Sequence, residues 1–427
     1  MDERSLPSIE NIESYINETA EAAKRASREI ARASTDLKNC TLRETARRLR
    51  ESKDVIQEKN LIDLANGREK GLAAAMLDRL TLTDRRIGDM ADMLEDVAAL
   101  PDPVGEITEM RVRPNGMQVG RMRVPLGVIG LIYESRPNVT LDAAALCLKS
   151  GNGCLLRGGS EAILSNLALA RLMQDSLESC GLPQAAVSFI ETTDREAVRL
   201  MCRLRGQVDV IIPRGGKSLI ETVVELATVP VLKHYDGNCH VYVDIGAEPE
   251  MAHRICMNAK VQRPGVCNAA ETFLIHREMA GSFLDGLLSD LHKHNVEVRA
   301  CREMLILYPD LKPAAGEDWD TEYLDYIIAV KIVDSIDDAL EHIERHSSRH
   351  TETIVTQNYT AAQRFLREVD SSSVLVNAST RLSDGGQYGL GAEIGISTDK
   401  IHARGPMGLE ELTCTKFVVY GEGQIRE

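Results

Sequence analysis

VPLGVIGLIYE, residues 124–134, is almost unbroken in apolar side chains from Val124 to Tyr133. A strand with one wet face alternates apolar and polar residues. A run that does not alternate suits a parallel strand covered on both faces. The chain beyond it alternates helix and strand. Leu141–Ser150 reads as a helix ended by Gly151-Asn152-Gly153, Cys154–Arg157 as a strand and Ala162–Ser179 as a helix. Val187–Ile190, Val208–Pro213 and Val229–Leu232 read as further strands, separated by helices Arg195–Leu204 and Ser218–Ala227. This rhythm predicts a doubly wound α/β domain on a parallel sheet.

A second α/β series begins near residue 239. Strands are expected at His240–Asp244, Ala270–His276, Ile327–Val333, Thr353–Thr356 and Val374–Asn377. Helices Met251–Lys260, one through Leu291, Ile336–His346 and Thr360–Val369 lie between them. Upstream, Ile9, Ile12, Ile16, Ala20 and Ala23 recur at helical steps, with Ser8 as a plausible N-cap. Helical spacing continues through Leu42, Ala46, Leu49, Ile56, Ile62 and Leu64, and again from Thr83 to Val97, until Pro101 and Pro103 end it. Met110–Arg123 alternates around Pro114-Asn115-Gly116, a hairpin signal, and Thr415–Tyr420 reads as a strand.

At 427 residues the chain has room for two to four domains at roughly 100–200 residues each. Lys and Arg number 50 against 65 Asp and Glu, a formal charge of −15, which argues against nucleic acid or an anionic membrane as the main partner. Apolar stretches fall short of the ~20 residues a membrane helix needs, and the polar N-terminus has no signal-like apolar core, so a cytoplasmic protein is expected. The 10 cysteines form no CxxC pair, so most should be reduced thiols in the core.

The dinucleotide fingerprint GxGxxG is absent. Pro213-Arg214-Gly215-Gly216-Lys217-Ser218 fails as a phosphate loop, because Ile211 stands where the first glycine belongs. It remains a strand–turn–helix junction whose free N–H groups can meet a phosphate, or simply an ordinary turn. Cys267 follows the Pro264-Gly265 turn and precedes a strand. Such a place can expose a nucleophilic thiol, although most cysteines in such a chain pack as small hydrophobes. His342, His346 and His350 recur at i, i+4, i+8 as in a metal site. No cysteine or carboxylate arrangement supports one, so polar roles at a helix end are preferred and no metal is expected.

Longer blocks carry a family resemblance. Val333, Ala339-Leu340, His342-Ile343, His346-Ser347-Ser348, His350-Thr351-Glu352 and Ile354 form one ordered signature. YESRPNVT (133–140), LLRGGSEA (155–162), QRPGVCNAAET (262–272), VNASTRLSDGGQYGLGAEIGIST (376–398) and HARGPMGLEELT (402–413) form the rest. With these the chain resembles the γ-glutamyl phosphate reductases, also called glutamate-5-semialdehyde dehydrogenases, of the aldehyde dehydrogenase superfamily, from about residue 10 to its end.

The resemblance implies an aldehyde-dehydrogenase-like fold of two doubly wound α/β domains plus a β oligomerisation element. Residues 1–109 and 124–238 would bind NADPH, 239–407 would carry the active-site cysteine, and 110–123 with 408–427 would join subunits as a homodimer or larger homo-oligomer. It implies NADPH-dependent reduction of L-glutamyl 5-phosphate to L-glutamate 5-semialdehyde with release of phosphate, the second step of proline biosynthesis. It also admits contact with a glutamate 5-kinase as supplier of a labile substrate.

By the same resemblance Cys267 is the nucleophile and Asn138 the oxyanion donor. Arg157 stands where the superfamily usually has a lysine near the adenosine ribose, and a guanidinium there suits a 2′-phosphate. Gly215, Gly216, Lys217 and Ser218 would lie by the pyrophosphate, and Glu322 by the nicotinamide ribose. Arg136, Ser379, Thr380 and Arg381 are the candidates for the substrate's carboxylate and phosphate.

One departure bears on the chemistry. Hydrolytic relatives carry a general-base glutamate in a Glu-Leu-Gly-Gly segment, whereas here the stretch reads His234-Tyr235-Asp236-Gly237-Asn238. Without that glutamate a thioester is protected from water, as an acyl-phosphate reductase requires. The alternatives are an acyl-CoA-reducing aldehyde dehydrogenase, which would lack the STRLSDGG and histidine blocks, and a non-enzymatic scaffold of the same fold, which the retained Cys267 and Asn138 disfavour.

Overall fold

The computed structural model describes residues 9–426. Their contacts divide them into two units. The first comprises the chain up to Lys233 with Leu390–Gly395 and the segment from Met407 onward; the second comprises His234–Gly389 and Ile396–Pro406.

The first unit opens with helices α1 (Ile12–Ile30), α2 (Thr35–Glu51), α3 (Lys53–Glu69), α4 (Ala74–Leu80) and α5 (Asp84–Ala99). Along α1 the residues at helical spacing, Ile16, Ala20, Ala23 and Ile30, are all fully buried. Asn11 caps this helix, its Oδ1 accepting the Ser14 N–H at 3.0 Å. Ser8, the expected cap, lies outside the described residues.

Strands β1 (Ile107–Val112) and β2 (Gln118–Pro125) form the expected hairpin. Then come β3 (Val128–Tyr133), α6 (Asn138–Lys149), β4 (Gly153–Arg157), α7 (Ile163–Ser179), β5 (Val187–Phe189), α8 (Glu196–Met201), β6 (Val210–Arg214) and α9 (Lys217–Leu226). The sheet is parallel with order β5-β4-β3-β6. Central β3 is buried along its whole length, as its unbroken apolar run requires. Ile16 and Ala20 of α1 pack with Val128, Ile132, Leu155 and Ile211 of three strands. The strand expected at Val229–Leu232 shrinks to a single bridge, Val231 to Ile211. Pro230 has no N–H to extend the ladder and offers only its carbonyl, to Ile211 N at 2.8 Å.

The second unit holds β7 (Cys239–Val243), α10 (Pro249–Val261), β8 (Ala270–His276), α11 (Arg277–Lys293), β9 (Glu297–Ala300), α12 (Arg302–Leu307), β10 (Lys312–Pro313), β11 (Ile327–Val333), α13 (Ile336–His346), β12 (Thr351–Val355), α14 (Tyr359–Glu368) and β13 (Ser373–Val376). Its sheet runs β10-β9-β11-β8-β7-β12-β13, every pair parallel. The sequence pattern left β9, α12 and β10 unassigned. In β9 the charged Glu297 and Arg299 alternate with inward Val298 and Ala300, so the apolar signal is only two residues long.

Beneath the sheet, Lys260 of α10 and Glu271 of β8 form a wholly buried ion pair at 2.5 Å. Removing one partner of such a pair strands a charge, at a cost of about 3–5 kcal/mol. In the glycine-rich tail, β14 (Ile396–Ser397) pairs with β15 (Gly405–Pro406).

The last strand, β16 (Thr413–Tyr420), pairs antiparallel with β2 along its full length, making the three-stranded sheet β1-β2-β16. Residues 110–123 and 408–427, expected to join subunits, thus pair with each other within one chain. The two edges satisfy each other within one chain, and β1 and β16 are the outer strands of the sheet they form. Among the described residues no helix is long and apolar enough to cross a membrane.

Candidate active site

In an open parallel sheet, ligands bind beyond the carboxyl ends of the strands where the strand order reverses. In the first unit that point lies between β3 and β6. Arg136 and Asn138 follow β3, Arg157 ends β4, and Gly215, Gly216, Lys217 and Ser218 follow β6. Seven of the expected residues thus share one end of one sheet.

The turn after β3 is held in an unusual shape. Ser135 has φ +37°, a left-handed conformation that costs a side-chain-bearing residue about 1–3 kcal/mol. Glu161 holds it there, its Oε1 accepting both the Ser135 N–H and Oγ–H at 2.6 Å. Gly159 makes room for that carboxylate, since a β-carbon at 159 would stand 2.1 Å from Glu161 Oε1. The blocks YESRPNVT and LLRGGSEA are therefore two halves of one clasp. Helix α6 starts directly at Asn138, earlier than the expected Leu141, with no side-chain cap. The Asn138 carboxamide donates to Asp142 Oδ2 one turn on, at 2.7 Å.

Arg157 is buried and donates from Nη2 to the Thr193 carbonyl at 3.3 Å. Its Nε is buried without a hydrogen-bond partner among the described residues, and burial lowers its pKa. A buried guanidinium with an unmet donor fits an anionic ligand. At the N-terminus of α9 the Gly216 N–H donates to Glu134 Oε2 at 3.0 Å. A carboxylate thus already sits at the helix end where a phosphate group would be favoured.

In the second unit Cys267 lies half-buried in the turn between α10 and β8. Its backbone rests directly on Gly237. A β-carbon on residue 237 would stand 1.9 Å from the Cys267 carbonyl oxygen, so no other residue fits. The Cys239 thiol donates to the same carbonyl at 3.2 Å. The Gly237 N–H donates to Glu322 Oε1 at 2.9 Å, so that carboxylate is turned onto the backbone beside the cysteine. Asn238 anchors the strand entry by donating to the carbonyls of Trp319 at 2.7 Å and His346 at 2.8 Å.

Arg381 is brought beside the thiol as well. It donates to Gln262 Oε1 at 2.9 Å and to Asn268 Oδ1, the residue next to Cys267. Burial and the neighbouring Arg263 lower its pKa. Ser379 turns inward, its Oγ accepting the Arg381 N–H at 3.3 Å, and Thr380 is fully buried. These two shape the turn that presents Arg381.

The histidine row is broken. α13 ends at His346. His342 faces the Lys331 amine at 3.1 Å and is held neutral by burial, its pKa depressed to about 2. His346 pairs with Asp320 at 2.7 Å. His350 lies apart, fully buried, near Cys239. Glu352 accepts the His240 N–H at 2.8 Å and binds Ser347, so much of the signature serves as internal scaffolding under the cysteine turn. Sequence reading passed over His234, Gly237 and Glu161. His234 and Gly237 sit in the very stretch quoted for its missing glutamate, and Glu161 in a block quoted whole.

Residues 8–303 match the aldehyde dehydrogenase family. The gamma-glutamyl phosphate reductase of Thermodesulfovibrio yellowstonii is 55% identical over 97% of this chain and 100% of its own. That of Halothermothrix orenii is 56% identical over 96% and 98%. A crystal structure of gamma-glutamyl phosphate reductase from Thermotoga maritima is similar in fold, with TM-score 0.95, 48% identity, and coverage of 96% of this chain and 100% of that one.

Proposed function

The chain belongs to the aldehyde dehydrogenase family and, within it, to the gamma-glutamyl phosphate reductases, and on that premise we propose that it reduces L-glutamyl 5-phosphate to L-glutamate 5-semialdehyde through a thioester on Cys267. The observation that carries the reading is the seat of Cys267. It rests on a stretch, His234–Asn238, that has no glutamate to aim water at an acyl-sulfur bond.

In this reading the Cys267 thiolate attacks the acyl carbon, a C–S bond forms, and the C–O bond to phosphate breaks. A nicotinamide cofactor, when bound, supplies the hydride that turns the thioester into a thiohemiacetal. Collapse returns the electron pair to sulfur and releases the semialdehyde. The backbone N–H of Cys267 steadies the oxyanion, a role the family motif also gives to Asn138. Arg381, presented by Ser379 and Thr380, takes an anionic group of the substrate, a role the family motif also gives to Arg136.

Arg157 would hold the 2′-phosphate that distinguishes NADPH, and its unmet buried donor supports this choice. Gly215, Gly216, Lys217 and Ser218 would receive the pyrophosphate in place of Glu134, and Glu322 the nicotinamide ribose. Arg157 and the Gly215–Ser218 turn of the first unit are thus assigned to the cofactor and the Cys267 turn of the second to the acyl group, in a cytoplasmic homo-oligomer serving proline biosynthesis. The test runs the reaction backwards: glutamate-5-semialdehyde oxidation by the purified protein, followed as NADPH formation. It should require phosphate, and coenzyme A should not replace it. Oxidation supported by coenzyme A and not by phosphate would overturn the reading in favour of an acyl-CoA enzyme.

A further inference from the structure

The proposed chemistry uses the Cys267 sulfur but neither of the two imidazoles beside it. His234, Cys267 and His350 bring one ligand atom each to within 4.8 Å of one another. They come from three separated parts of the second unit: the entry to β7, the turn before β8 and the start of β12. We propose that these three residues form a zinc-binding site, so that a divalent zinc ion reversibly caps the thiol.

The donor set is the borderline-soft one that zinc prefers, one thiolate and two imidazoles, with a fourth position left for water. Zinc bonds of about 2.3 Å to sulfur and 2.0–2.1 Å to nitrogen place such atoms about 3.3–3.6 Å apart in a tetrahedron. The site must therefore close by roughly 1 Å, which side-chain rotation of half-buried His234 and Cys267 supplies.

The imidazoles are already oriented as metal ligands usually are. His234 Nδ1 lies 2.9 Å from the Ile396 carbonyl, so it donates there and its Nε2 is left as the basic nitrogen. His350 Nδ1 is engaged by Thr351 Oγ1 at 2.8 Å, which fixes that ring too. The two rings meet edge to face with centroids 5.5 Å apart. Cys239 is close by, but burial pushes its thiol pKa far up, and it serves as a donor to the Cys267 carbonyl. Zinc binding displaces the Cys267 proton to solvent and leaves one Zn–S bond, with no change of oxidation state.

The test uses the full-length protein and zinc chloride, with a chromogenic chelator as competitor and iodoacetamide labelling of Cys267 read by peptide mass. The sulfurs of Cys40 and Cys180 stand 2.6 Å apart and offer a second place for zinc, so C40S is the working background. We expect one zinc per chain, protection of Cys267 from alkylation, and reversal by EDTA. His234→Asn should weaken zinc binding by about tenfold or more, and Cys267→Ser should abolish it. His350→Asn should do as His234→Asn does; if this buried variant fails to fold, half-exposed His234 carries the test. Unchanged zinc affinity in His234→Asn, or alkylation of Cys267 at the same rate with and without zinc, would overturn the proposal. Protection of Cys267 without loss of turnover would uphold the site and instead refute Cys267 as the nucleophile.

Discussion

Gly237 and Cys267 touch backbone to backbone, at a distance that excludes even one methyl group on residue 237. The neighbouring atoms are main-chain atoms, which cannot rotate aside as a side-chain tip can. Gly237→Ala should therefore displace the cysteine turn, costing about 1–3 kcal/mol and lowering turnover by about 10²-fold, as misplacement of a reacting group does. Circular dichroism melting together with steady-state turnover checks this. A variant with wild-type turnover would mean that the turn tolerates displacement.

The Asn138 carboxamide donates one of its two N–H groups to Asp142, and that contact sets up a pH dependence. Loss of water around Asp142 pushes its pKa up to about 6 from 3.8, partly offset by the Asn138 hydrogen bond. A carboxyl whose folded pKa is raised binds more protons folded than unfolded between those values, so stability falls as pH rises from about 4 to 6. The full shift would be worth about 3 kcal/mol, and the partial exposure of Asp142 brings it nearer 2. Asp142→Asn should therefore gain stability relative to the parent as pH rises through that window. Urea midpoints at pH 4 and pH 7 measure it; a constant difference between the two proteins would contradict the assignment.

Asn138→Ala separates catalysis from packing. α6 begins at Asn138 without a side-chain cap, so capping is not what this residue supplies. Loss of one oxyanion donor lowers turnover by about 10²–10³, with little change in apparent substrate affinity. Stopped-flow measurement of the chemical step would show the loss there. A loss confined to melting temperature would make Asn138 a structural residue only.

The three-stranded sheet keeps a large apolar surface in water: Val112 is 71% exposed, Phe417 67% and Tyr420 57%. Together with the outer edge of β1, this surface calls for a partner. Light scattering at low micromolar concentration should give a multiple of 47.1 kDa, and Phe417→Lys should lower it. A single-chain mass unchanged on tenfold concentration would refute self-association.

The sheets were legible because β3 is buried on both faces and carries an unbroken apolar run, and because β8 and β11 keep apolar stretches, Phe273–Ile275 and Ile327–Val330, within largely buried strands. Cys267, Asn138 and Arg157 were assigned their roles through family blocks, not through any local pattern. What escaped depends on contacts between distant segments. Nothing local to Gly237 says that residue 267 will rest on it, and nothing in the spacing of His342, His346 and His350 says that the third leaves the row for the cysteine. Residues 297–313 escaped for a different reason. Their strands are short, and their charged side chains pair with one another, Glu297 with both Arg299 and Lys312.

The central claim is that Cys267 carries the acyl group. Mixing the enzyme with glutamate-5-semialdehyde and NADP+ in the absence of phosphate should produce a rapid burst of NADPH, one per active site, because the thioester forms but has no acceptor. Added phosphate should then release it and restore turnover. Cys267→Ala should bind cofactor and show no burst. A burst of undiminished size in Cys267→Ala would contradict the account.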